Sequence, residues 1–196
     1  TSFRRNLRRE KKPGSLRLAF LNRLDYSKPD IPEASMTRQI IPVDPFDFII
    51  FGGTGDLAER KLLPALYHRQ KAGQFSSDTQ IFGASRAKMT DAGYREFTEA
   101  AIRRHVKAED IDEAELAAFL KRIDYTNVDA TSGAGFDKLQ KLLAKSSRIR
   151  VFYLAVAPAL FDDIASQLKA HDLVCENCRI VVEKPIGRDL ASAREL

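Results

Sequence analysis

Apolar and polar positions divide the chain into two kinds of segment that alternate along its length. Short apolar runs, rich in β-branched and aromatic residues, predict strands. These runs lie at 48–51, 80–84, 122–128, 150–156 and 179–183, and those at 48–51 and 150–156 are predicted to be strands buried on both faces. Longer segments between them carry apolar residues at helical spacing. Strands that alternate with helices predict an α/β fold with a doubly wound parallel sheet and right-handed crossovers.

Several predicted helices have recognisable ends or breaks. The first covers about 56–73 and contains Pro64, which lacks a backbone N–H and should kink or restart the helix. Thr90 or Asp91 is expected to cap the second helix. Asp189 is expected to cap a last helix that is still running where the sequence stops.

The most informative stretch joins the first strand to the first helix. It consists of Gly52, Gly53, Thr54, Gly55, Asp56, Leu57 and Ala58. Gly52 can adopt backbone angles that a side chain forbids, Gly55 allows close approach of a pyrophosphate, and Ala58 lets the helix lie against the strand. A strand, a glycine turn and a helix start in this order predict a Rossmann-like dinucleotide cradle. An ordinary βα turn is the alternative.

The end of the second strand indicates which dinucleotide is bound. A carboxylate at this place would bond the ribose 2′-hydroxyl of NAD, but Ser85 and Arg86 occupy it. Arginine binds phosphate in a bidentate manner and keeps its charge. The sequence therefore favours NADP, with a solvated surface arginine as the alternative.

Candidate residues for chemistry beyond coenzyme binding are few. Lys184 follows the last strand, where it could meet an anionic or hydroxylated substrate, although a surface lysine is the alternative. His68, His105 and His171 fall in helices or at helix ends. Oxidation of a sugar hydroxyl needs a base, and none is identified in this chain.

Charge is distributed unevenly. Residues 1–28 hold nine lysines and arginines against Glu10 and Asp25, a local +7, so the rest carries −2 of the total +5. The basic character belongs to residues 1–43 and does not indicate a nucleic-acid-binding domain. This leader is expected to have little fixed structure. It is a basic arm, a targeting segment, or an extension upstream of a natural start at Met36.

The remaining composition points to a globular protein. No apolar run approaches the ~20 residues of a membrane span, and no secretory signal is visible. The interpretation is a cytoplasmic protein without a membrane or nucleic-acid partner. Cys175 and Cys178 lack the further ligands of a zinc site and precede a strand, so two reduced cysteines and no metal are expected.

Four motifs in order resemble glucose-6-phosphate dehydrogenase. They span residues 51–67, 83–86, 152–158 and 180–190 and read FGGTGDLAERKLLPALY, GASR, FYLAVAP and IVVEKPIGRDL. The resemblance covers about residue 45 to the end, so the predicted domains are the basic leader 1–43 and a coenzyme domain 44–196. Pro64 belongs to the family pattern.

The resemblance implies NADP as coenzyme and glucose 6-phosphate as substrate, oxidised at C1 to the lactone that opens the pentose phosphate pathway. It assigns the phosphate-binding turn to Gly52, Gly53, Thr54, Gly55, Asp56 and Leu57. It places Ser85 and Arg86 at the 2′-phosphate and Ala155 and Asp129 along the coenzyme. Lys184 resembles the family lysine that touches both coenzyme and sugar phosphate.

The family segment with the catalytic histidine, and the β+α domain that makes the family's oligomer, are not in these 196 residues. The resemblance therefore implies a coenzyme-binding half that is inactive by itself, with no catalytic residue in this chain. A non-catalytic NADP-binding module and an oxidoreductase of the glucose–fructose oxidoreductase type remain alternatives.

Overall fold

The computed structural model describes residues 43–144 and 146–184. They form a five-stranded sheet in the order β3-β2-β1-β4-β5, with every neighbouring pair parallel. The strands are β1 (Phe46–Phe51), β2 (Gln80–Ser85), β3 (Ile123–Asn127), β4 (Ile149–Leu154) and β5 (Cys178–Val182). The predicted α/β fold with a parallel sheet is confirmed.

Helices cover both faces of the sheet. They are α1 (Leu63–Lys71), α2 (Asp91–His105), α3 (Glu113–Lys121), α4 (Phe136–Leu143) and α5 (Phe161–Ala170). The side chains of β1 alternate between two cores, because successive residues of a strand point to opposite faces. Ile50 packs with residues of α1, α2 and α3, whereas Ile49 and Phe51 pack with residues of α4 and α5.

The first helix is continuous, but its hydrogen-bonding pattern changes just before Pro64. A π-helical segment, Ala58–Leu62, precedes α1, and Pro64 lies in the first turn of α1. The backbone N–H of Leu63 bonds to the carbonyl of Ala58, five residues back. Pro64 has no N–H to continue an α-helical ladder, so the turn before it closes with wider hydrogen bonds.

A buried ion pair lies at the amino ends of β1 and β4. Asp47, on β1, is fully buried, and Arg148, just before β4, donates to its Oδ1 from Nε at 2.9 Å and from Nη2 at 2.7 Å. A buried carboxylate is costly unless it is paired and hydrogen-bonded. The pair therefore favours the observed alignment of β1 with β4.

Two predictions need correction. Cys175 and Cys178 form a disulfide, because the turn between them, closed by Cys178 N–H on Cys175 O at 3.0 Å, brings their Cα atoms to 5.2 Å. The fourth apolar run was predicted to be buried on both faces, but Val151 and Tyr153 of β4 are only half-buried. Predictions for the leader up to residue 42 and for the helix capped by Asp189 lie outside the described residues.

Candidate dinucleotide-binding site

The carboxyl ends of the strands surround a cleft of about 410 Å³. The strand order changes direction between β1 and β4, the switch point at which open α/β sheets bind ligands. The cleft brings together six of the predicted site residues: Gly52, Thr54, Gly55, Ser85, Arg86 and Asp129. Residues from distant parts of the sequence thus form one site.

Gly52 is required by the backbone of the turn. Its φ is +80°, and a Cβ there would lie 2.2 Å from the carbonyl oxygen of Ala155. The N–H groups of Gly52 and Gly53 donate to the carbonyl of Ala84 at 2.8 and 3.2 Å. The turn is therefore held between β2 and the segment after β4.

Gly53 is required by packing rather than by its backbone angles. A Cβ at this position would lie 2.9 Å from both the Tyr94 hydroxyl oxygen and Gly83 Cα. The buried Tyr94 hydroxyl, on α2, donates to the carbonyl oxygen of Gly53 at 2.9 Å. The ring of Tyr94 occupies the space beside Gly83, where a Cβ would lie 2.2 Å from Cζ.

Gly55 is less constrained than both, although a Cβ there would still meet a backbone carbonyl more closely than an ordinary van der Waals contact. The nearest contact of a Cβ would be the carbonyl oxygen of Gly52, at 3.1 Å. The backbone carbonyl of Gly55 accepts from Glu59 N–H at 3.0 Å, so the helical turn begins here. The start of a helix offers N–H groups and a partial positive charge to an anion. A bare backbone at this point fits a diphosphate.

The wall opposite the glycine turn is formed by the loop after β2. Arg86 is exposed and lines the cleft. Ser85 Oγ lies 2.9 Å from Thr54 Oγ1 and 2.8 Å from the Tyr125 hydroxyl. A guanidinium is therefore carried on a loop that is tied to the glycine turn on one side and to β3 on the other.

Asp129 shapes the loop that follows β3. Its Oδ1 accepts from Thr131 N–H at 3.1 Å, and its backbone exchanges hydrogen bonds with Ala134 and Gly133, each 2.9 Å long. Asp129, Ala130 and Thr131 all line the cleft. The carboxylate thus orders a wall of the cleft.

The other predicted site residues are not part of the cleft lining. Gly53, Asp56 and Leu57 belong to the same turn, and Ala155 lies behind Gly52. Lys184 is exposed, two residues beyond the end of β5. Beside it, the Tyr153 hydroxyl donates to the carboxylate of Glu183, and burial together with this carboxylate raises the pKa of Tyr153 to about 12.

The histidines lie away from the cleft. His68 and His105 belong to the later parts of α1 and α2, and His171 directly follows α5. Helices that follow parallel strands run back toward the amino ends of those strands. All three residues therefore lie toward the edge opposite the cleft.

Sequence reasoning missed several residues of the site. Thr131, Leu160 and Ile164 also line the cleft, and Tyr94, Tyr125 and Asn127 support its walls. The position of Leu160 and Ile164, in the helical segment that follows β4, was a signal for these two residues. The supporting residues come from the start of α2 and the end of β3, and the sequence does not reveal that these meet the glycine turn and the Arg86 loop.

Comparison with known proteins identifies close relatives. The family model described as "Glucose-6-phosphate dehydrogenase, NAD binding domain" matches residues 49–196. A glucose-6-phosphate 1-dehydrogenase of Rhizobium meliloti (strain 1021) is 57% identical over 162 residues, which make up 82% of this chain and 33% of that protein. One from Mycolicibacterium smegmatis is 48% identical over 166 residues, 82% of this chain and 34% of that protein.

Solved structures agree with these relatives. A glucose-6-phosphate dehydrogenase in complex with its substrate glucose-6-phosphate superposes with a TM-score of 0.68 at 33% identity, covering 78% of this chain and 33% of that one. The glucose-6-phosphate 1-dehydrogenase from Mycobacterium avium gives a TM-score of 0.70 at 30% identity, covering 78% and 32%. The chain therefore spans about a third of the length of the proteins it matches.

Proposed function

Since the chain belongs to the glucose-6-phosphate dehydrogenase family, in its NAD-binding domain, we propose that it binds NADP in the cleft at the carboxyl ends of the strands. The observation that supports this proposal is that two different walls of the cleft face the same space. The glycine turn presents bare backbone at Gly55, and the loop opposite presents the guanidinium of Arg86. A diphosphate and a 2′-phosphate need these two features.

Individual roles follow from these positions. The turn Gly52, Gly53, Thr54, Gly55, Asp56 and Leu57 surrounds the diphosphate. The N–H groups of Gly52, Gly53 and Gly55 bond within the fold and shape the turn, so the helix start supplies the N–H groups for the anion. Arg86 holds the 2′-phosphate, and Ser85 lies next to it in the wall of the cleft. Asp129 and Ala155 lie beside the coenzyme, Asp129 in the wall of the cleft and Ala155 behind Gly52.

We propose that the whole protein oxidises glucose 6-phosphate at C1 to 6-phosphogluconolactone, as the names of its relatives suggest. NADP, when bound, accepts the hydride. In this chain, Lys184 lies beyond β5 at the carboxyl edge and meets the phosphate of the sugar with its charged amino group. The base that takes the hydroxyl proton comes from outside the described residues.

Partners and compartment follow the same reasoning. We propose a cytoplasmic enzyme whose full length is oligomeric and binds neither membrane nor nucleic acid. Among the described helices, none has the length and apolar character needed to cross a bilayer. The body of the chain, without residues 1–28, carries −2, which does not favour a polyanion.

The coenzyme assignment is tested by titrating NADP and NAD against the wild-type chain and against Arg86→Ala. We expect tighter binding of NADP by the wild type. Arg86→Ala should weaken NADP about 10- to 100-fold, the range of lost hydrogen bonds to a charged group, and should leave NAD nearly unchanged. Unchanged NADP affinity in Arg86→Ala would show that the 2′-phosphate assignment is wrong.

A further inference from the structure

The loop that carries Arg86 is held at both of its neighbouring peptide groups. Asn127 Nδ2, at the end of β3, donates to the carbonyl of Ser85 at 3.1 Å and to that of Ala87 at 2.9 Å. The Tyr125 hydroxyl reaches the same two carbonyls, that of Ser85 at 3.1 Å. The carbonyls on either side of Arg86 thus share the same two donors. This arrangement holds Arg86 at the apex of a fixed turn.

The number of protons on each group determines which side chain donates and which accepts in this network. A tyrosine hydroxyl has one proton, and carbonyl oxygens only accept, so Tyr125 donates to the loop. Ser85 Oγ, 2.8 Å from the Tyr125 oxygen, must then donate to it. Ser85 Oγ keeps its lone pairs for Ala87 N–H at 3.2 Å and for the Thr54 hydroxyl at 2.9 Å. One hydrogen-bond chain thus joins the glycine turn, the Arg86 loop and β3.

The two donors from β3 have different surroundings. Tyr125 is buried, and its ring packs against Tyr94 with centroids 5.1 Å apart. Asn127 is exposed and is the last residue of β3. Truncation of Asn127 therefore removes the two loop contacts and leaves the core intact, while Tyr125→Phe keeps the ring and removes only the hydroxyl.

We propose that Tyr125 and Asn127 are positioning residues that set coenzyme selectivity by fixing the loop on which Arg86 stands. The inference rests on the proposed function, because it takes Arg86 as the ligand of the 2′-phosphate. NAD lacks this phosphate and does not engage Arg86. A loosened loop therefore weakens NADP and spares NAD, whereas a merely structural defect weakens both.

The test measures dissociation constants of NADP and NAD, together with thermal midpoints, for Asn127→Ala, Tyr125→Phe and Arg86→Ala. Asn177→Ala is the matched control, an exposed asparagine just before β5 at the opposite edge of the sheet. We expect Asn127→Ala to weaken NADP about fivefold, the worth of one or two hydrogen bonds, with NAD changed less than about twofold. Tyr125→Phe should act in the same direction, and the control should match the wild type.

Comparison of the variants distinguishes failure of the positioning role from failure of the 2′-phosphate assignment. In an Arg86→Ala background, Asn127→Ala should have no further effect on NADP, because the group it positions is gone. If Asn127→Ala leaves the NADP-to-NAD ratio unchanged while Arg86→Ala collapses it, the positioning role is refuted and the proposed function stands. If Arg86→Ala itself leaves the ratio unchanged, the 2′-phosphate assignment fails and the inference fails with it.

Discussion

At the scale of single residues, the glycines of the turn have three different physical reasons to be glycine. Gly52 has a positive φ and lies against the carbonyl of Ala155, and Gly53 lies against Tyr94. Gly55 has no positive φ, and a Cβ there would make one tight contact, 3.1 Å from the carbonyl oxygen of Gly52. The fold therefore requires glycine most strongly at the first two positions, and at the third we propose that the bound diphosphate adds to a weaker requirement of the fold.

This difference predicts opposite phenotypes for two alanine substitutions. Gly52→Ala should destabilise the protein by about 3 kcal/mol or more, because strain and a backbone clash add together. Gly55→Ala should lower the free energy of unfolding by only about 1 kcal/mol, because its methyl group meets a single backbone atom, the Gly52 carbonyl oxygen, at 3.1 Å. It should weaken NADP and NAD alike by about tenfold, since in the proposed complex the methyl group blocks the diphosphate. Denaturant titration and coenzyme binding check the pair. Equal losses of stability in the two variants would contradict this account.

The residue scale also shows where sequence reasoning succeeds and stops. Gly52 was predicted from a local pattern, because strand, turn and helix follow each other in the chain, and the observed φ fits that pattern. The requirement at Gly53 is set by Tyr94, which lies 41 residues away. A long-range packing partner of this kind leaves no local signal, so the supporting residues of the site were missed.

At the scale of elements, the helix caps were predictable because they are local. Thr90 Oγ1 accepts from Gly93 N–H at 3.1 Å and begins α2, and Asp112 Oδ1 accepts from Ala114 and Glu115 to begin α3. The burial of the strands was less predictable. The incomplete burial of Val151 and Tyr153 on β4 depends on which helices cover each part of the sheet, and an apolar run does not predict this.

The contact between α2 and the glycine turn predicts a response to alkaline pH. Burial, with a smaller effect of Tyr125, raises the pKa of Tyr94 above its ordinary value of 10.0. The folded state therefore favours the neutral phenol, and this contribution is complete below pH 10.0 and is lost as the pH rises further. Thermal midpoints should fall above this pH.

Tyr94→Phe removes the titrating group and keeps the ring. At neutral pH it should cost about 1 kcal/mol, the net worth of the hydrogen bond to the Gly53 carbonyl. Above pH 10.0, its thermal midpoint should fall less steeply than that of the wild type. Parallel pH curves for the two proteins would show that Tyr94 does not contribute to alkaline unfolding.

At the scale of the whole molecule, the two faces of the sheet are covered unequally. In the described ranges, the core with α1–α3 lies over β1, β2 and β3, whereas Ile149, Val151 and Tyr153 of β4 stay half-buried on that face. Ile180, on the edge strand β5, is 48% exposed. The sequence predicted a doubly wound parallel sheet but not the strand order that creates this difference, because the complete fold determines which strands pair.

Coenzyme binding and catalytic turnover should be separable in this chain. The cleft contains groups for holding a dinucleotide, and in residues 43–144 and 146–184 no histidine lies at its rim. The purified 196-residue chain should therefore bind NADP. At a concentration 100 times its dissociation constant, NADP should add about 2.7 kcal/mol to the free energy of unfolding, which raises the thermal midpoint.

The same sample should form no NADPH when glucose 6-phosphate is added, because we propose that the base for the C1 hydroxyl proton comes from outside these residues. The absorbance of reduced nicotinamide follows this directly, with a full-length relative as positive control. Arg86→Ala, measured in parallel, should lose most of the NADP-induced rise in midpoint, which ties that rise to the cleft. NADPH formation by the purified chain would show that a catalytic base lies within these residues, and an unchanged midpoint would show that the cleft does not bind the coenzyme.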